Sequence, residues 1–149
     1  MKLEKEIKTK EIPDERIRAV LEILFTASYI NHKHTLHLKP YNMSPQQYNI
    51  MRILRGSHPG ELSMNQIVNR MLEKSPHSTR MIDKLCANGY AERRRSESDR
   101  RKVYVKISNH GLKVMKELDD IHPEFMQFTH NLSDQEAHLL SEMLEKLRD

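Results

Sequence analysis

The sequence holds a single cysteine, Cys86, so no intrachain disulfide can form. A reducing cytoplasm is the compartment that fits such cysteine usage. It has no apolar run near the roughly 20 residues needed to cross a bilayer. Its first residues, Met1-Lys2-Leu3-Glu4-Lys5-Glu6, lack the apolar stretch of a signal peptide. A cytoplasmic protein without a membrane partner is therefore expected. Glycine is also scarce, with four in the chain, and none forms a phosphate-cradling loop. No Ser/His/Asp arrangement stands out, so neither an enzyme nor a cofactor is expected. Repeats, low-complexity tracts and long linkers are missing as well.

What the chain does have is size and a local excess of positive charge. Its 149 residues suit one domain, or one compact domain with an appended helical part. Such a length buries roughly 70% of its unfolded surface. The net charge is +4, but it is unevenly placed. Residues 74–106 carry ten Lys/Arg against four acids, a net +6, which leaves the remainder at −2. One segment thus has the electrostatic footprint of a phosphate-facing surface.

Periodicity divides the chain into six helices and one hairpin. The first helix is expected over Asp14 to about Leu38, where Ile17, Val20, Leu21, Leu24, Ala27 and Ile30 recur at helical spacing before Pro40. Ser44-Pro45-Gln46-Gln47 has the form of a capping box with proline at the first helical position. The second helix then runs to about Arg55 with Tyr48, Met51 and Leu54 inward, and Gly56 to Gly60 is a turn. Ser63 caps a short third helix carrying Met64, Ile67, Val68 and Met71. Ser75-Pro76 opens a fourth, with Ser78, Met81, Ile82 and Leu85 inward and Gly89 at its C-terminal cap.

Two strands follow, Tyr90–Arg94 and Lys102–Ile107, joined by a polar tip. A fifth helix runs from about Asn109 to Thr129, bent at Pro123. Another capping box, Ser133-Asp134-Gln135-Glu136, starts the sixth. The fold class is mainly α with a small β-wing.

The third and fourth helices are short, and about three residues separate them in this reading, the spacing of a helix-turn-helix. In such a unit the second helix enters the major groove by its N-terminal residues. Here those are Ser75, Pro76, His77, Ser78, Thr79 and Arg80, with Lys84 one turn on to reach the phosphates. Arginine to guanine is the commonest specific base contact, which makes Arg80 the candidate reader. The hairpin tip, with Arg95, Asp99, Arg100, Arg101 and Lys102, is too polar to pack on anything. Arginines on a projecting ribbon can enter a minor groove. A carboxylate at Asp99 is expected to hold the Arg101 guanidinium bidentately and fix its aim. The predicted partner is double-stranded DNA; the alternative is a winged-helix module for protein contacts, which has no need of Arg100-Arg101-Lys102 at an exposed tip.

Several of these residues resemble the multiple-antibiotic-resistance regulator (MarR) family of winged-helix transcription factors. The likeness lies in the helix exit Leu85-Cys86-Ala87-Asn88-Gly89-Tyr90-Ala91-Glu92-Arg93. It continues through Asp99-Arg100-Arg101-Lys102-Val103-Tyr104-Val105-Lys106-Ile107-Ser108 to Gly111, and Met43-Ser44-Pro45-Gln46-Gln47-Tyr48 matches the start of the family's second helix. The resemblance implies a winged helix-turn-helix lobe over about 44–108. It also implies a homodimer, paired through helices at about 12–38 and 109–149. It implies a regulator, most often a repressor, on an inverted-repeat operator. The family's wing aspartate and arginine fall on Asp99 and Arg101, and its recognition-helix positions on 75–80.

Three ways of sensing a signal are open. The resemblance implies a small-molecule effector held between the pairing helices and the lobe, walled by the first, second and fifth helices. A metal-responsive regulator would need ligands, and His32, His34 and His37 cluster late in the first helix while His122 and His130 lie far downstream. Steps of two and five residues spread histidines over different helical faces, so only His34 and His37 are neighbours and no metal site is expected. A redox-responsive regulator would have to use Cys86, which reads as a small, partly buried residue. The nine methionines read as core filling.

Overall fold

The computed structural model describes residues 2–99 and 101–149, so Arg100 of the expected wing lies outside the described residues, as do the side chains at positions 122, 124 and 125. A short helix α1 (Leu3–Glu6) precedes the long α2 (Glu15–Leu38), which Asp14 caps by accepting the Arg16 N–H. A 3-10 turn over Lys39–Tyr41 follows, and Asn42 takes a left-handed backbone as the chain reverses. Next come α3 (Pro45–Gly56), β1 (Leu62–Ser63), α4 (Met64–Arg70) and α5 (Ser78–Ala87). The wing strands are β2 (Ala91–Arg95) and β3 (Val103–Ile107). The chain closes with α6 (Asn109–Phe125), a 3-10 turn over Met126–Asn131, and α7 (Asp134–Arg148).

All three capping boxes form as their residue types dictate. Ser44 with Gln47, Ser63 with Gln66, and Ser133 with Glu136 each exchange side-chain and backbone bonds, satisfying helix-start N–H groups that would otherwise lack partners. Gly89 has φ 75°, the left-handed conformation that ends α5.

Three expectations need correction. The sheet has three strands, not two: β1 pairs antiparallel with β3, giving the order β1-β3-β2. A two-residue strand carries no readable alternation, which is why the sequence concealed it. An extra helical turn, α1, precedes the six expected helices. Finally, α5 begins at Ser78 rather than Ser75, so residues 71–77, more than the expected three, separate it from α4. The reason is local: the Ser75 hydroxyl accepts the His77 N–H at 3.1 Å and the Ser75 carbonyl accepts the Ser78 hydroxyl at 2.6 Å, folding 75–77 into a turn.

The core gathers around α3. Ile50, Met51 and Leu54 are essentially fully buried, against Ile67 of α4, Ile82 and Leu85 of α5, Val105 of β3 and Met115 and Leu118 of α6. Arg55 clamps α3 to α6 through both oxygens of Asp119, at 2.5 and 3.3 Å. On β3 the inward residues are Val105 and Ile107, with Lys106 outward, the alternation expected of a half-buried strand.

The outer helices differ. Ile17, Val20 and Leu24 of α2 and Leu139, Leu140, Met143 and Leu147 of α7 are exposed large apolar residues. Helix α7 buries none of its residues.

Candidate nucleic-acid interface

The DNA-facing candidates fall on two neighbouring features, the start of α5 and the end of the β2–β3 hairpin. Along α5 the period of burial is clear. Ser78, Ile82 and Leu85 face the core, and Thr79, Arg80, Asp83 and Lys84 face solvent. Pro76 and His77 are exposed in the turn before the helix, and Ser75 is half-buried there. Ser78 is turned away from the expected DNA face: it is 3% exposed, and its hydroxyl serves the Ser75 carbonyl and lies 3.6 Å from the Met71 sulfur.

The hairpin tip is a built turn. The Ser96 N–H donates to the Lys102 carbonyl and the Lys102 N–H to the Asp99 carbonyl, both at 2.9 Å. Ser96 is buried, its hydroxyl 3.0 Å from that of Ser98. Asp99 does not grip the Arg101 guanidinium as expected. Its carboxylate accepts the backbone N–H of Arg101 at 3.1 Å, a local turn of the kind aspartate makes with the residue two positions on. The Arg101 side chain is exposed, as are those of Arg95 and Lys102.

The summed charge of the segment conceals two populations. Arg93 of β2 is paired with Asp83 of α5. Arg94 donates to Glu61 at 2.9 Å and sits 5.2 Å over the Tyr104 ring. The hydrogen bond and charge of Glu61 hold the Arg94 guanidinium still more firmly protonated. Lys106 is 3.1 Å from Glu92, its cross-strand partner in the hairpin register. By contrast, Lys74, Arg80, Lys84, Arg95, Arg101 and Lys102 make no ion pair among the described residues.

The unpaired cations are those on α5, just before it, and at the wing tip. The paired ones line the stem. Asp83 and Arg93 were missed by the sequence reasoning, since nothing in either residue's neighbourhood marks a pairing between a helix and the strand after it. The Glu92–Lys106 pair was recoverable from the register alone.

A groove of about 660 Å³ lies beside this surface. Its walls are Ile30, Asn31 and His34 of α2, residues of Pro45 to Ile53 along one face of α3, and Arg70 at the end of α4 with Met71, Leu72 and Glu73 after it. The third wall is the stretch leading to α5. His34 stands edge-on to Tyr48, ring centres 6.3 Å apart. Among the described residues no three His, Cys, Asp or Glu side chains are grouped so as to hold a metal ion. Cys86 is half-buried and unbridged, and burial pushes its thiol pKa up, the nearby Arg93 charge offsetting part of that rise. No helix among the described residues is long and apolar enough to cross a membrane.

Comparison with known proteins agrees with this geometry. Residues 32–118, more than half of the chain, match the family of the transcriptional regulator SarA/Rot. The HTH-type transcriptional regulator MhqR of Bacillus subtilis is 25% identical over 130 residues, covering 85% of this chain and 88% of its own. Among solved structures, a MarR transcription factor from Planctomyces limnophilus superposes with a TM-score of 0.72 at 29% identity, covering 91% of this chain and 98% of its own. A cysteine-to-serine mutant of E. coli MarR complexed with operator DNA shares the fold, with a TM-score of 0.77 at 20% identity over 93% of this chain and 99% of its own. The chain belongs to the SarA/Rot transcriptional regulators and has the winged helix-turn-helix fold of the MarR structures it resembles.

Proposed function

We propose that the protein is a homodimeric repressor that occupies an inverted-repeat operator and leaves it when a small ligand fills the groove between α2, α3 and residues 70–73. The observation that carries this reading is the sorting of charge. Arg93, Arg94 and Lys106 are neutralised on the stem, while Arg80 and Lys84 on α5 and Arg95, Arg101 and Lys102 at the wing tip are unpaired and exposed. Unpaired cations release counterions when they meet phosphate; paired ones have little to gain. Arg80 reads a base edge in the major groove, Lys84 touches the backbone, and Arg101 enters the minor groove. The binding of operator DNA by the E. coli relative of the same fold supports this assignment.

The homodimer rests on the outer helices. Leu24 is 62% exposed, Met143 58% and Leu147 59%, too much apolar surface on α2 and α7 to leave in water. In this reading residues 12–38 and 109–149 pair two copies, and the lobe over 44–108 reads DNA. A two-fold axis through that layer would set the two α5 helices about 34 Å apart, one turn of DNA.

The groove has the size of a small-molecule site, lined by the apolar Ile30, Tyr48 and Ile53 and by the charged Arg52 and Arg70. The protein acts in the cytoplasm. Footprinting upstream of its own gene, followed by a screen for small molecules that lift the footprint, tests the proposal. A protected inverted repeat is expected; the absence of any preferred site at low salt would refute it.

A further inference from the structure

We propose that Asn49 is a positioning residue for the DNA-reading helix, fixing the stretch 71–77 on which the start of α5 hangs. This rests on the reading of α5 as the helix that meets DNA. The stretch has few other holds. Leu72 is 92% exposed, and Glu73, Lys74, Pro76 and His77 are exposed as well. The one buried residue of the stretch is its first, Met71, at 6% exposure, with Ser75 half-buried near its end.

One residue later the backbone is pinned: the Leu72 N–H donates to Asn49 Oδ1 at 3.0 Å, across 23 residues of sequence. Asn49 sits on α3, the most deeply packed helix, between the fully buried Ile50 and the capping residue Gln47. Gln47 itself is 3% exposed and donates from Nε2 to the Met81 carbonyl within α5 at 3.2 Å. Beyond their shared apolar core, helix α3 thus hydrogen-bonds the DNA-reading helix at one point inside it and the chain at one point ahead of it. The second point is Asn49.

The same side chain lines the groove, as do Met71, Leu72 and Glu73. An occupant bearing an N–H or O–H directed at Asn49 would meet the same amide oxygen that Leu72 uses. The bond that places α5 is therefore also the one that a molecule in the groove can reach without touching α5.

The test is a pair of variants of the full chain. Asn49→Ala removes the acceptor, and Asn49→Asp keeps one. Hydrogen exchange at the Leu72 amide in free protein is the first readout. The ratio of affinity for the footprinted operator to that for random duplex of equal length is the second. Asn49→Ala is expected to speed Leu72 exchange by roughly fivefold or more and to lower the operator preference by roughly fivefold, the worth of one ordinary hydrogen bond. Affinity for random duplex and the exchange of core amides at Ile50 and Leu85 should stay unchanged. Asn49→Asp should restore both readouts.

Leu72 exchange that is the same in Asn49→Ala and the native chain would overturn the proposal. So would faster exchange without loss of operator preference. A general rise in exchange, core included, would also overturn it, by making Asn49 a residue of overall stability. If the native chain shows no operator preference, the reading of α5 fails, whereas the exchange data still decide whether Asn49 holds Leu72.

Discussion

The Ser108 hydroxyl donates to the Gly89 carbonyl at 2.6 Å and accepts the Gly111 N–H at 2.9 Å, tying the end of α5 to the start of α6. The Ser108 N–H adds a bond to the Tyr90 carbonyl at 3.0 Å. The wing leaves and returns through this knot, so its geometry sets where the wing stands.

Gly111 is there because the two backbones nearly touch. A Cβ at that position would lie 2.1 Å from the Tyr90 carbonyl oxygen and 2.9 Å from both the Ile107 and Met51 side chains. Gly111→Ala is expected to destabilise the fold by about 3 kcal/mol, since backbone cannot retreat as a flexible side chain can. Ser108→Ala should cost about 1–3 kcal/mol by leaving the Gly89 carbonyl and Gly111 N–H without their partner. Denaturant titration of both variants measures this; a Gly111→Ala protein as stable as the native one would mean that α6 slides freely on the wing.

Arg101→Ala should weaken operator binding and reduce the dependence of log Kd on log salt by about one phosphate contact. Because Asp99 accepts the Arg101 backbone N–H, Asp99→Ala should also weaken binding, by loosening the tip rather than by removing charge. Binding isotherms over a salt series separate the two: the slope should fall for Arg101→Ala and stay constant for Asp99→Ala.

The pairing of stem charges predicts a contrast between neighbours. Arg93→Gln should reduce DNA affinity less than Arg95→Gln, because Arg93 is already paired with Asp83 whereas Arg95 is exposed and unpaired. The Asp83–Arg93 pair is itself about half exposed, so a double-mutant cycle on stability should return at most about 1 kcal/mol. Equal losses of affinity for the two glutamine variants would show that the pair opens when DNA binds.

Arg80→Ala should relax base choice at one position per half-site by about 1–3 kcal/mol, while Lys84→Ala should weaken binding evenly on all sequences. Selection of binding sites from a randomised duplex pool distinguishes these outcomes; an even loss for Arg80→Ala would make it a phosphate contact.

Cys86 should react slowly with iodoacetamide at neutral pH. Burial raises its pKa, and a raised pKa keeps the thiol protonated, leaving little thiolate to attack. The rate should climb as pH rises through the alkaline range. Fast alkylation at neutral pH, or loss of operator binding on peroxide treatment that Cys86→Ser abolishes, would favour a redox-responsive regulator.

Local rules made much of this molecule legible. Ser44, Ser63 and Ser133 each announce a helix start by a glutamine or glutamate three residues on, and all three boxes form. Gly89 marks the end of α5, and alternation marks β3. What sequence could not carry was the competition between similar local bonds. Ser75 looked like a helix cap, yet its hydroxyl closes a turn instead. Asp99 beside Arg101 offered both a guanidinium and a backbone N–H, and the backbone, nearer and already fixed, took the bond. Charge counting ran along the chain, whereas Arg94 finds its acid at Glu61, outside the counted stretch.

Glu61 stands one residue before β1, the two-residue strand that joins β3 on the side away from β2. The hairpin is therefore braced along its stem by two pairs, Arg94–Glu61 toward β1 and Asp83–Arg93 toward α5. Under the proposed mode of binding the wing stem therefore keeps its bearing on α5, so that one rigid frame would serve operators that differ in shape beneath it.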